Sequence, residues 1–136
     1  MTNTNLKNTL LIVDDNATNV SMLGSVLSGD YKIKAALNGA DALAIAQCEP
    51  VPDLILLDVM MPDMDGFEVC RQLKSNPVSA HLPVIFVTAM CAPEHEKEGL
   101  EIGAVDYIHK PFSPAIVNAR VKTHISLHET NQLLEK

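Results

Sequence analysis

Two adjacent acids, Asp14 and Asp15, follow the apolar run TLLIV, and a third, Asp58, follows LILL. Further along, VIFV runs into Thr88, and DYIH runs into Lys110-Pro111. A carboxylate at the end of an aliphatic strand is costly unless something compensates its charge. Three crowded carboxylates repel one another, and a hard cation with oxygen ligands relieves them. Mg²⁺ (or Mn²⁺) fits best, because it accepts a few carboxylates, waters and a phosphate oxygen in place of a full protein cage. Lys110 would add a point charge able to pair with a carboxylate or an incoming phosphoryl group. Thr88 would add a hydroxyl donor. These are the groups an aspartate needs to attack phosphorus: a nucleophile, a metal and an ammonium to neutralise equatorial oxygens, and a hydroxyl to hold the product.

Whether these residues meet depends on the elements that carry them. Five short runs with strand character, 9–13, 31–35, 54–57, 84–87 and 105–109, alternate with helix-like segments, the mark of βα units on a parallel sheet. The first, third and fourth runs are continuously apolar, as strands covered on both faces must be. Tyr31-Lys32-Ile33-Lys34 and Val105-Asp106-Tyr107-Ile108 alternate apolar with polar, which makes the second and fifth runs the sheet edges. With right-handed crossovers the simplest arrangement is a flavodoxin-like, doubly wound (βα)5 α/β fold, strand order 2-1-3-4-5. Ligands then sit beyond the carboxyl ends of the strands, where every residue named above falls.

Boundary residues set the helices. The first starts near Ala17 and ends at Ser28-Gly29, with the glycine as its C-cap. Asn38 caps the second, with Asp41 in its first turn, and Asp65 caps the third. The fourth, over 93–102, is rich in acids and has little apolar surface to bury, so it should be the least firmly anchored. From Ser113 a final helix-compatible stretch runs to the C-terminus, and its last part, ISLHETNQLLEK, has weak heptad character. Asp63 reads as a turn residue after Pro62 and Asp65 as a cap, neither as a metal ligand.

Composition narrows the function classes. A chain of 136 residues with 47% hydrophobic content fits one compact domain. A formal charge of −7 argues against direct contact with nucleic acid or anionic lipid. The polar start MTNTNLKNT lacks an apolar signal region and no aliphatic run is long enough to span a bilayer, so a cytoplasmic location is expected. Cys48, Cys70 and Cys91 are odd in number and lack CxxC pairing, and read as reduced thiols.

With these residues in place, the sequence resembles the receiver domains of bacterial two-component (phosphorelay) response regulators over residues 9–122. VDDN (13–16), LLDVMMPDMDG (56–66), VTA (87–89) and GAVDYIHKPF (103–112) occur in order. The resemblance implies that Asp58 is the phosphoacceptor. It implies Mg²⁺ bound directly by Asp15, Asp58 and the Met60 backbone carbonyl, with Asp14 acting through a coordinated water. Thr88 and Lys110 would hold phosphoryl oxygens, Tyr107 would be the aromatic switch that follows Thr88, and Lys110-Pro111 would be a cis bond. It further implies a sensor histidine kinase or histidine phosphotransfer protein as phosphodonor, and a downstream effector domain or protein. Signal output and a homodimer would use helix 4, strand 5 and helix 5. Such a chain catalyses its own phosphorylation and slow autodephosphorylation, without turning over an external substrate. Residues 1–8 then read as a polar tail and 123–136 as a helical extension, the latter resembling the linker to cyclic-di-GMP enzymes or histidine-kinase modules.

Other readings fit less well. An aspartyl-phosphate phosphatase needs a second acid two residues after the nucleophile, where this chain has Met60. A flavodoxin-type FMN carrier needs a phosphate cradle where this chain has the acidic loop DDNATN. A receiver-like interaction module that is not phosphorylated would have no need of the complete acceptor set. His124 and His128 stand at i, i+4 on the last helix, but with no further ligand evident they read as solvated. Met60 and Met90, each two positions after a site residue, are expected to slow hydrolysis of the phosphorylated form by restricting water.

Overall fold

The computed structural model describes residues 7–134, with side chains through Asn131. Most of the polar tail expected over 1–8, and the last two residues of the extension, lie outside the described residues. The order is β1 (Thr9–Val13), α1 (Ala17–Leu27), β2 (Lys32–Ala36), α2 (Gly39–Gln47), β3 (Leu54–Leu57), α3 (Gly66–Ser75), β4 (Val84–Thr88), α4 (Pro93–Ile102), β5 (Asp106–His109) and α5 (Pro114–Leu134). The strands form one parallel sheet in the order β2-β1-β3-β4-β5, as the apolar patterning predicts.

Period-two alternation sends side chains to opposite faces of the sheet, and each face carries its own core. Leu11, Val13, Ile55, Leu57, Val84 and Phe86 pack with α2 and α3. Leu10, Ile12, Leu54, Leu56, Ile85 and Val87 pack with Leu23 and Leu27 of α1 and with Val117, Val121 and Ile125 of α5. The central strands β1, β3 and β4 are buried throughout. β5 departs from the polar alternation expected at an edge: Tyr107 and Ile108 are both buried, one in each core.

Local chemistry explains the helix ends. Asn38 Oδ1 accepts from the Asp41 N–H at 2.8 Å and Asp65 Oδ1 from the Glu68 N–H at 2.9 Å, the two caps expected. α1 has a third cap that sequence reading passed over: Asn16 Oδ1 accepts from Thr18 and Asn19. The expected glycine C-cap of α1 is corrected. Ser28 caps it in the right-handed region, and Gly29 does not adopt a positive φ. The Asp30 and Tyr31 N–H groups both return to the Leu27 carbonyl, closing the turn without a left-handed residue and starting β2 one position later than expected. The glycine that does end a helix is Gly103, at φ 127 after α4.

Candidate functional site

β1, β3, β4 and β5 deliver their terminal residues to one end of the sheet. Parallel pairing fixes this: the Asp58 N–H donates to Val13 O at 2.9 Å and the Lys110 N–H to Thr88 O at 2.9 Å. Asp14, Asp15 and Asp58 thereby bring carboxylate oxygens within 4.8 Å of one another, the one such group of three acids, histidines or cysteines among the described residues. Asp14 and Asp58 are buried, 2% and 6% exposed, whereas Asp15 faces solvent. Thr88 is fully buried, and its hydroxyl bonds to Asp58.

Lys110 is the counter-charge. Its Nζ lies 2.7 Å from Asp14 Oδ2 and 3.4 Å from Asp58 Oδ2. Buried charges are tolerated only when paired and hydrogen-bonded, and Asp14 is the better served: its Oδ1 also accepts the Asn16 N–H at 2.9 Å. Burial pulls the Lys110 ammonium down, but the Asp14 hydrogen bond and the Asp58 and Asp14 charges outweigh it and leave its pKa raised. For Asp58 the balance runs the other way. Burial pushes its pKa up, the Lys110 ammonium pulls it back, and the Asp14 charge adds to the rise. Hydrogen bonds from the Thr88 hydroxyl and the Met60 N–H compensate only in part. The Asp58 carboxylate is thus under-compensated, and a further cation beside it would remove that deficit. Oxygen-only donors, two of them buried, suit a hard divalent ion.

The loop after Asp58 is held tight. Gly66 donates to Val59 O at 2.8 Å, and a Cβ at Gly66 would collide with the Asp58 carbonyl. Asp63 is a turn residue, as expected: it sits at φ 70 inside a γ-turn closed by Met64 N–H to Pro62 O at 2.8 Å, a rare and strained conformation. Met60 projects outward at 57% exposure. Lys110-Pro111 is cis, and so is Glu49-Pro50, which sequence reading did not single out.

Tyr107 is turned inward. It is buried, its ring lies 5.9 Å from that of Phe86, and its hydroxyl donates to Met90 O at 2.7 Å. Burial, then the Glu96 and Asp58 charges, push that hydroxyl up to about 12, so it stays a donor at any physiological pH. Next to it, Asp106 takes the Tyr107 N–H and Arg120 on Oδ1 and faces His124 Nε2 with Oδ2. Burial opposes its charge, but those hydrogen bonds and the Arg120 charge win and lower its pKa.

Two expectations on α5 need correction. His124 and His128 are not solvated: the His124 side chain is 15% exposed and His128 is 7% exposed. Burial on α5 thus continues past Ile125 to His128, whose ring stacks on that of His81 in the loop before β4. Beside Lys110, between α1 and the start of α5, lies an apolar recess of about 680 Å³ whose walls include Met22, Val26, Pro111 and Phe112. No helix among the described residues is long and apolar enough to cross a membrane.

Known proteins place this geometry. The family model described as "Response regulator receiver domain" matches residues 10–122. A Vibrio cholerae protein named "Probable cyclic di-GMP phosphodiesterase" is 45% identical over 126 residues, 93% of this chain and 28% of the relative. The response regulator PleD of Caulobacter vibrioides is 44% identical over 115 residues, 84% of this chain and 25% of the relative. The chain therefore spans about a quarter of the length of these curated relatives. Among solved structures, the signal receiver domain of a signal transduction histidine kinase from Syntrophus aciditrophicus superposes with a TM-score of 0.79 at 36% identity, covering 88% of this chain and 90% of that one.

Proposed function

Since this chain belongs to the response regulator receiver domain family, we propose that it accepts a phosphoryl group on Asp58 and relays that event to a partner. The observation that carries this reading is the meeting of Asp14, Asp15 and Asp58 within 4.8 Å, with the Lys110 ammonium spanning Asp14 and Asp58. Asp14, Asp15, Asp58 and the Met60 carbonyl would hold Mg²⁺ or Mn²⁺, which when bound supplies positive charge for the equatorial oxygens of the transferring group. Asp58 presents a carboxylate oxygen to the phosphorus of a phosphohistidine. The new P–O bond forms as the P–N bond breaks, and the electron pair leaves with the donor imidazole. Lys110 follows the phosphoryl oxygens and relinquishes Asp58. The Thr88 hydroxyl, now bonded to Asp58, turns to an oxygen of the product.

The phosphodonor is a sensor histidine kinase or a histidine phosphotransfer protein. The apolar recess supports this, since Lys110 lines it as well as pairing with the acids, and its apolar walls offer a seat for a donor helix. Output runs through α4, β5 and α5 to an effector domain or protein, or to a second copy of the chain. α4 is suited to move because Gly99 is its only buried residue and no side chain caps its N-terminus. Met60 and Met90 restrict water at the phosphorylated site, so Met60→Asn should change the dephosphorylation rate.

The test is intact mass after incubation with a small phosphodonor and Mg²⁺. One phosphoryl adduct is expected on the parent, lost without metal and absent from Asp58→Asn. An unmodified parent, or an equally modified variant, would overturn the reading.

A further inference from the structure

Five of the chain's six methionines lie among the described residues, in very different surroundings. Met61 is 8% exposed, and Met64 and Met90 are partly covered against the core that α2 and α3 share. Met22 on α1 and Met60 in the loop after β3 stand in solvent, at 48% and 57% exposure. Met60 is the most open of the five. It is also the one held against the acceptor acid, since its N–H donates to Asp58 Oδ1 at 3.3 Å.

The backbone on either side keeps it there. Val59 and Met61 are both buried, the Met61 N–H returns to Val59 O at 3.1 Å, and Gly66 donates to the same carbonyl at 2.8 Å. The Met60 side chain can change rotamer, but its backbone stays beside the Asp58 carboxylate. A thioether in this position is an apolar group whose sulfur accepts hydrogen bonds only weakly. It excludes water without binding it. One oxygen atom on that sulfur reverses both properties, because a sulfoxide is polar and carries an accepting oxygen.

We propose that Met60 is a site of oxidation by hydroperoxides and that its sulfoxide shortens the life of the phosphoryl group on Asp58. This rests on the reading of Asp58 as the phosphoacceptor and adds a second input to it. The Sδ lone pair attacks one oxygen of hydrogen peroxide. The S–O bond forms as the O–O bond breaks, and the departing hydroxide takes the proton of the transferred oxygen and leaves as water. Sulfur is oxidised by two electrons and the peroxide is reduced by two. The sulfoxide oxygen then accepts a hydrogen bond from water at the rim of the acid pocket, where the thioether had kept water off. Hydrolysis of the aspartyl-phosphate consumes such a water, so the oxidised chain resets sooner. Sulfoxide reductases return the sulfur to the thioether, which makes the control reversible.

The test treats the unphosphorylated protein with hydrogen peroxide, removes the peroxide, and adds excess thiol. Thiol reverses sulfenic acid and disulfide at the exposed Cys48 and Cys91 but leaves methionine sulfoxide in place. Peptide masses should show oxygen on Met60 and Met22 ahead of Met61, Met64 and Met90. After loading with a small phosphodonor and Mg²⁺, intact mass should show the phosphoryl adduct decaying several-fold faster than in untreated protein. A pair of methionine sulfoxide reductases, one for each epimer, should restore the slower decay. Met60→Leu, an exposed substitution that keeps the backbone carbonyl, should decay at one rate with or without peroxide, whereas Met22→Leu should keep the parent's response. Oxidation that spares Met60, unchanged decay once Met60 is oxidised, or a peroxide response that survives in Met60→Leu would overturn the proposal. Those outcomes leave the phosphoacceptor reading standing, because the adduct still forms on Asp58. A parent that takes no adduct before peroxide treatment overturns both.

Discussion

Helices α3 and α4 are equal in length and lie side by side over the same sheet face, yet they are held in opposite ways. α3 begins with an Asp65 cap and buries Phe67, Val69, Cys70 and Leu73. α4 begins without a side-chain cap and buries only Gly99. Both touch Phe86: the Phe67 ring meets it edge-on at 5.3 Å, and a Cβ on Gly99 would come within 2.9 Å of it. The Arg71–Glu98 pair that links the two helices is about half exposed on each side, so it contributes little. Packing therefore fixes one helix and merely permits the other. Local stability varies along a chain in this way, and segments that move in signalling come from its low end.

The contrast breaks or holds on measurable differences. The largest should come from α3, where Phe67→Ala is expected to cost about 3–5 kcal/mol in denaturant unfolding. Leu100→Ala on α4, at a site 43% exposed, should stay within about 0.5 kcal/mol; similar costs at the two sites would end the comparison. Next comes Gly99→Ala. Crowding of Phe86 should outweigh the better helix propensity and leave a net loss of about 1–2 kcal/mol, and phosphorylation should then change amide exchange in α4 less than in the parent.

Smaller effects test the caps. Asp65→Ala should cost about 1 kcal/mol, while Ala92→Asp, which gives α4 the cap it lacks, should stabilise by about 0.5–1 kcal/mol and slow exchange of the first α4 amides. Asp58, just ahead of α3, is expected to count against the well-packed half. Its folded pKa lies above the unfolded one, so the stability that its proton brings is fully present below about pH 4 and lost as pH rises through the raised value. In metal-free buffer, Asp58→Asn should therefore be more stable than the parent at neutral pH, with the difference closing in acid. A parent at least as stable as the variant at pH 7 would contradict the burial argument.

Much of this was legible in the residues. Continuous apolar runs against alternating ones gave the strand order, and Asn38 and Asp65 marked helix starts because capping is a local interaction. The acid cluster was legible because parallel strands carry their ends to one place. What escaped the sequence depends on contacts between distant residues. Nothing near His124 indicates that His81 stacks beside its neighbour one turn on, and nothing near Lys110 indicates that Asp14 holds it more closely than Asp58 does. Gly29 looked like a helix stop because glycine usually is one. Here Leu27 O takes two returning N–H groups and the turn closes in the right-handed region. Asn16 was passed over as a cap because its neighbours read as metal chemistry, although one asparagine caps α1 with its side chain and steadies Asp14 through its backbone.

The ring of Phe86 lies against α3, α4 and β5 at once, through Phe67, Gly99 and Tyr107. Its size is therefore not free to drift on its own over evolutionary time. A lineage that shrinks residue 86 opens a gap which a methyl at position 99 would fill, and one that first enlarges residue 99 meets the ring. An alignment deep enough to measure covariation should show these two positions changing together, with glycine kept at 99 wherever 86 is aromatic.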